Sequence, residues 1–132
     1  MPRPIRSSKD REGKAVCVEC GFRGADDNYY LLLRRLPPLY AKDPVWLVRL
    51  SADTLVQRSH DGSSQTFHKA YSIQSLTEAE KQFLMGCTPG ASALPFFNFS
   101  YPNVIRVLGK RFYRLEEQEL GPLAERSWVF IP

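Results

Sequence analysis

The stretch from Pro44 to Ile73, PVWLVRLSADTLVQRSHDGSSQTFHKAYSI, constrains the fold more than any other part of this chain. Val45 to Leu50 is apolar on both alternating faces except at Arg49, which is the pattern of an inner strand covered on both sides. Thr54 to Arg58 reads as a second strand-like piece and Gln65 to Ile73 as a third. Between them lies His60-Asp61-Gly62-Ser63-Ser64, whose Asp-Gly pair supplies the positive φ that a hairpin turn needs. In the third piece Phe67, Lys69, Tyr71 and Ile73 fall on one face, and Thr66, His68, Ala70 and Ser72 on the other. These features predict an antiparallel meander on which the remaining segments pack.

Upstream, Ala15 to Cys20 suits a short strand ended by Gly21, Gly24 and the Ala25-Asp26-Asp27-Asn28 cluster. Tyr29 to Leu36 (YYLLLRRL) fits a buried strand or a short helix; its tyrosines favour strand, and Pro37-Pro38 end it in either case. The clearest helix follows the meander, across residues 77–86. Thr77 and Glu80 form a Thr-x-x-Glu capping box, and Leu76, Ala79, Phe83, Leu84 and Cys87 recur at helical spacing. Gly86 suits the C′ position and Pro89 prevents continuation. Residues 88–103 read as a long loop whose Phe96, Phe97, Phe99 and Tyr101 are too many rings to leave in water; they cover a core edge or form a partner surface. Val104–Leu108 and Arg111–Leu115 read as a second hairpin turning at Gly109-Lys110. Glu116 to Ala124 reads as a short helix or loop broken at Gly121-Pro122, and Ser127 to Ile131 as a last strand.

The expected fold is therefore α+β: a single domain over residues 15–132, mainly antiparallel sheet (the meander plus a C-terminal hairpin), with one short capped helix. A chain of 132 residues, 43% hydrophobic and 24% charged, can hold one such core without metal or disulfide staples. The net charge of +4 is unevenly placed. Arg3, Arg6, Lys9, Arg11 and Lys14 face only Asp10 and Glu12, so residues 1–14 carry nearly all of it. That segment is rich in Pro, Ser and charge and predicts a flexible basic arm. It shows no apolar signal region, and no apolar run in the chain approaches a membrane span. Three cysteines are too few for a disulfide framework, so a reducing, cytoplasmic setting is expected.

Three chemistries have candidate residues. Cys17-Val18-Glu19-Cys20-Gly21 resembles one knuckle of a zinc ribbon, because this spacing lets two thiolates converge on one metal. The second Cys-x-x-Cys pair that such a site needs is missing, and Cys87, His60 and His68 are the other available ligands. A redox role would need the first cysteine at a helix N-terminus, whereas this pair ends a strand. His60, His68 and Lys69 together suit phosphodiester cleavage, as one base, one acid and one charge stabiliser. No Walker-type loop, GxSxG elbow or HExxH helix occurs.

The third chemistry is binding. The basic arm, Arg106, Lys110, Arg111 and Arg114, with Phe112 and Tyr113 between them, form a basic-aromatic set suited to phosphate and base contacts. Phe97 and Tyr101 in the aromatic loop, Arg34-Arg35, Trp46 and Trp128 add residue types that anchor protein interfaces. The reading that follows is a small non-enzymatic binding or regulatory module of the modulator or inhibitor type. Its expected partner is a protein, a nucleic-acid-handling complex being one candidate. Arg3, Arg6, Arg11, Arg106, Lys110, Arg111, Tyr113, Arg114, Phe97 and Tyr101 are its expected contacts. A nuclease-like enzyme and a zinc-stabilised nucleic-acid-binding module are the alternatives.

Overall fold

The structure is a computed structural model of the chain that describes residues 7–9, 15–35, 45–93, 100–125 and 128–131. In order these form β1 (Ser7–Lys9), β2 (Ala15–Arg23), β3 (Tyr29–Arg35), β4 (Val45–Arg58), β5 (Ser64–Leu76), α1 (Glu78–Met85), β6 (Ser92–Ala93), α2 (Pro102–Leu108), β7 (Phe112–Arg114), α3 (Glu117–Ala124) and β8 (Trp128–Ile131). The strands make one sheet in the order β6-β7-β2-β3-β4-β5-β8, with β1 also paired to β2. Every described pairing is antiparallel except β5 with β8. The fold is thus α+β and mainly antiparallel, as expected.

Two cores lie on opposite faces of the sheet. On one, Val18, Leu31, Leu33, Val48, Leu50 and Trp128 pack against Leu115 and against Leu120, Leu123 and Ala124 of α3. On the other, Cys20, Phe22, Tyr30, Leu32, Val45 and Leu47 pack with Leu84 of α1, Val104 and Leu108 of α2, and Phe112. This double cover accounts for the apolar runs of β3 and of Val45–Leu50, whose side chains alternate between two packed faces, Trp46 being the exception at 41% exposed.

β4 is a single strand through Arg58. The irregularity that separated Thr54–Arg58 in the sequence is a bulge, with the register passing from Leu50↔Ala70 to Thr54↔His68. The alternation expected for residues 66–73 holds to Ser72, after which a second bulge leaves Ile73 unpaired between Ser72 and Gln74. β2 runs past Gly21, which pairs with Leu31; α3 crosses so closely there that a Cβ would meet Leu120 Cδ1 at 2.7 Å. Ser7–Lys9, inside the segment expected to be an arm, pair with Ala15–Cys17.

α1 follows its expected limits. Thr77 Oγ1 accepts from the Glu80 N–H at 3.2 Å, and the Glu80 carboxylate accepts from the Thr77 N–H at 3.2 Å. Gly86 ends the helix with φ −82, an ordinary right-handed value.

The second hairpin is not formed. Val104–Leu108 belongs to a helix, α2, and Phe112–Arg114 pairs with β2 and β6 instead. Pro102 at the first helical position supplies the correct φ, Val104 and Leu108 turn one buried face to the sheet, and a carboxylate from α1 caps the end. The break expected at Gly121-Pro122 is absent too. α3 passes through both residues, with Pro122 on the exposed side and Leu120, Leu123 and Ala124 holding both turns to the sheet.

Candidate functional site

Among the described residues, the most exposed stretch of regular structure is the outer half of the β4–β5 hairpin. Thr54–Arg58 pairs with Ser64–His68, from Thr54↔His68 to Arg58↔Ser64, and nearly every side chain from Ala52 to Thr66 is exposed, Leu55 alone being half-buried. Val56, at 55%, is the most exposed large hydrophobic side chain among the described residues. The turn is self-supported: Ser59 N–H donates to Ser63 O at 2.8 Å, Gly62 takes φ +86, and Asp61 accepts from the Ser63 N–H at 2.9 Å and its hydroxyl at 2.6 Å. Those bonds hold the Asp61 carboxyl below the usual carboxylate range. A two-stranded ribbon buries little apolar surface of its own, so this one owes its shape to the continuous strands that root it in the sheet.

The ribbon separates the proposed acid–base set. His60 lies in the turn and His68 at the root opposite Thr54, and the run from Ser64 to His68 alone spans about 13 Å. Lys69 follows His68 directly, so the two side chains leave opposite faces of β5. The structure therefore does not bring His60, His68 and Lys69 together. His68 Nδ1 is buried, with no hydrogen-bond partner among the described residues.

The cysteines are equally apart from a metal site. Cys17 and Cys20 are buried on β2, and Cys87 is half-buried just beyond α1. Cys20 Sγ approaches Met85 Sδ at 3.8 Å, and Cys87 Sγ donates to Phe83 O at 3.4 Å. Burial, then the charge of Glu19, pushes the Cys17 thiol up against the opposing pull of Arg34; burial pushes the Cys87 thiol up against that of Arg114. Among the described residues no three His, Cys, Asp or Glu side chains gather in a metal-binding group.

The basic-aromatic set is dispersed. Arg114 is only 4% exposed, and its guanidinium donates to Met85 O at 2.8 Å and to Cys87 O, satisfying carbonyls at the C-terminal end of α1. That arginine is a structural brace. Arg106 is exposed and donates to Gln74 Oε1. Lys110 and Arg111 are exposed between α2 and β7. Tyr113 is half-buried, its hydroxyl donating to Glu119 at 3.2 Å. Tyr101 stacks on Phe83 with ring centroids 4.4 Å apart, so it belongs to the core margin. Arg3, Arg6, Arg11 and Phe97 lie outside the described residues.

A surface depression of about 470 Å³ lies beside the end of α1, bordered by Gln82, Phe83, Cys87, Thr88 and Ser92. It holds one thiol with a raised pKa and no acid–base partner for it among these residues. The signal that pointed to the ribbon was present in the sequence as Thr54–Arg58 and Asp61-Gly62. What it lacked was any indication that none of the described helices covers them. No described helix is long and apolar enough to cross a membrane. No protein-family model, no curated protein and no solved structure matches the chain.

Proposed function

We propose that this protein is a small non-enzymatic binding module that docks on a protein partner through the β4–β5 ribbon. The ribbon itself carries the reading. Its residues from Ala52 to Thr66 leave the packed body nearly bare; apart from Ala52 and Gly62 they are Thr, Val, Leu, Gln and Ser with one arginine, Arg58, one histidine, His60, and two aspartates, Asp53 and Asp61. Such a near-neutral surface suits protein contact better than a polyanion, which needs accumulated positive charge. The exposed Lys110 and Arg111 and the charge surplus of residues 1–14 add a salt-sensitive component to the encounter.

The test is a ribbon-shortened chain in which residues 53–66 are replaced by a two-residue Asn-Gly turn. The full chain and the shortened chain are compared as baits in lysate of the native cell, with circular dichroism confirming that both fold. Proteins retained by the full chain and lost from the shortened one are expected. An identical set on both baits refutes the ribbon as the docking element.

A further inference from the structure

We infer that the open edge of β4 pairs with the same edge of a second copy of this chain. β4 pairs with β3 only from Trp46 to Arg49, whereas β5 flanks it as far as Arg58. From Leu50 to Arg58 no described strand lies on the β3 side. The slot begins at Tyr29, the first residue of β3, which is 38% exposed, and Val56 stands within it. An open edge presents a row of N–H and C=O groups that another strand satisfies best. Beyond the bulge between Leu50 and Thr54, the segment TLVQR has β-favouring residues at its centre and neither the lysine nor the proline that blunts natural edges.

The occupant follows from symmetry and charge. A two-fold axis normal to an antiparallel pair keeps every side chain on its own face and sets one residue opposite itself. With Val56 on the axis, Val56 meets Val56 of the second copy. Thr54 then meets Arg58, Leu55 meets Gln57 and Asp53 meets Ser59, so no like charges oppose each other across the pair. The most exposed apolar side chain of the ribbon is covered, and the turn of the second copy ends beside Tyr29. The outer edge of β5 from Ser64 to Phe67, ahead of its pairing with β8 at His68, has no described strand beside it and is left for the partner proposed above.

Sedimentation velocity of the full chain from about 1 to 100 µM is expected to show a reversible dimer, as a modest interface of this kind implies. A monomer throughout overturns the inference and leaves the ribbon-shortening test of partner docking untouched. Val56→Lys and Val56→Glu change an exposed side chain, and each alone sets like charges face to face. Each is expected to weaken dimerisation by a factor of about 10 or more, and an equimolar mixture to restore it as a Lys–Glu heterodimer. Persistence of the dimer in either variant, or failure of the mixture to re-form it, overturns the register.

Discussion

Removing the Glu80 carboxylate should cost this fold more than any exposed substitution. Glu80 is 2% exposed and accepts four hydrogen bonds. The Thr77 N–H and hydroxyl donate to Oε1 at 3.2 and 3.0 Å, Asn103 Nδ2 donates to Oε1 at 3.2 Å, and the Val104 N–H donates to Oε2 at 3.2 Å. Glu80 therefore closes the capping box of its own helix and also caps α2, whose own N-cap residue, Tyr101, makes no side-chain cap. In Glu80→Ala the exposed Thr77 donors turn to water, which limits that loss to about 1 kcal/mol. The buried Val104 N–H has no such recourse, and orphaning it costs about 2 kcal/mol more. The expected total is about 3 kcal/mol by urea unfolding, against less than about 0.5 kcal/mol for the exposed Glu78→Ala. Glu80→Gln keeps the shape but turns an NH2 towards a donor, so it should lose about half as much.

The same carboxylate predicts a pH dependence. Burial, the largest influence, raises the Glu80 pKa, but the bonds from Thr77, Asn103 and Val104 together outweigh it and leave the folded value lowered. A lowered folded value means that the contribution is present above the unfolded glutamate pKa, about 4.3, and fades as pH falls through the folded one. Wild type should then lose stability more steeply than Glu80→Gln below about pH 4.3. A Glu80→Ala cost under about 1 kcal/mol, or parallel acid limbs for the two proteins, would refute the bridging role.

Other expectations follow from particular contacts. Tyr30 donates to Asp26 Oδ2 at 2.6 Å, and burial together with that bond and the Asp26 charge pushes its pKa up to about 12. Its contribution should be complete below the unfolded tyrosine value and disappear as pH rises from about 10 to 12, a slope that Tyr30→Phe abolishes in alkaline unfolding curves. Gly109 has φ +91 and its Cβ would meet Ala25 Cβ at 2.6 Å, whereas Gly62, with φ +86, has open space. Gly109→Ala should therefore lower thermal stability by at least about 1 kcal/mol more than Gly62→Ala; equal losses would mean that Ala25 yields freely. Arg114→Met should cost about 2–3 kcal/mol in urea unfolding by stranding the carbonyls of Met85 and Cys87, and Arg114→Lys should recover only part of it.

Local signals were legible wherever a few neighbouring residues settle the backbone. Thr77 with Glu80 announces a helix start, Asp61-Gly62 a tight turn, and Val45 to Leu50 an inner strand, although Trp46 within it is left exposed. Each of these decisions is made by groups within hydrogen-bonding or one-turn reach in sequence. Val104–Leu108 is the opposite case. The β-branched VIRVL ahead of Gly109-Lys110 reads as a hairpin strand, and the helix is chosen by a carboxylate 24 positions earlier in the chain and by the burial of Val104 and Leu108 against the sheet. Arg114 likewise looks like one member of a basic surface until the end of α1 is packed over it.

The candidate site divides in the same way. That a hairpin turns at Asp61-Gly62 is readable from those two residues, because the φ requirement is local. Tertiary structure alone decided that the outer half of that hairpin stands clear of the body while its inner half is walled in by β3 and β8. How far neighbouring strands extend depends on where distant segments pair, and no short-range pattern carries that information.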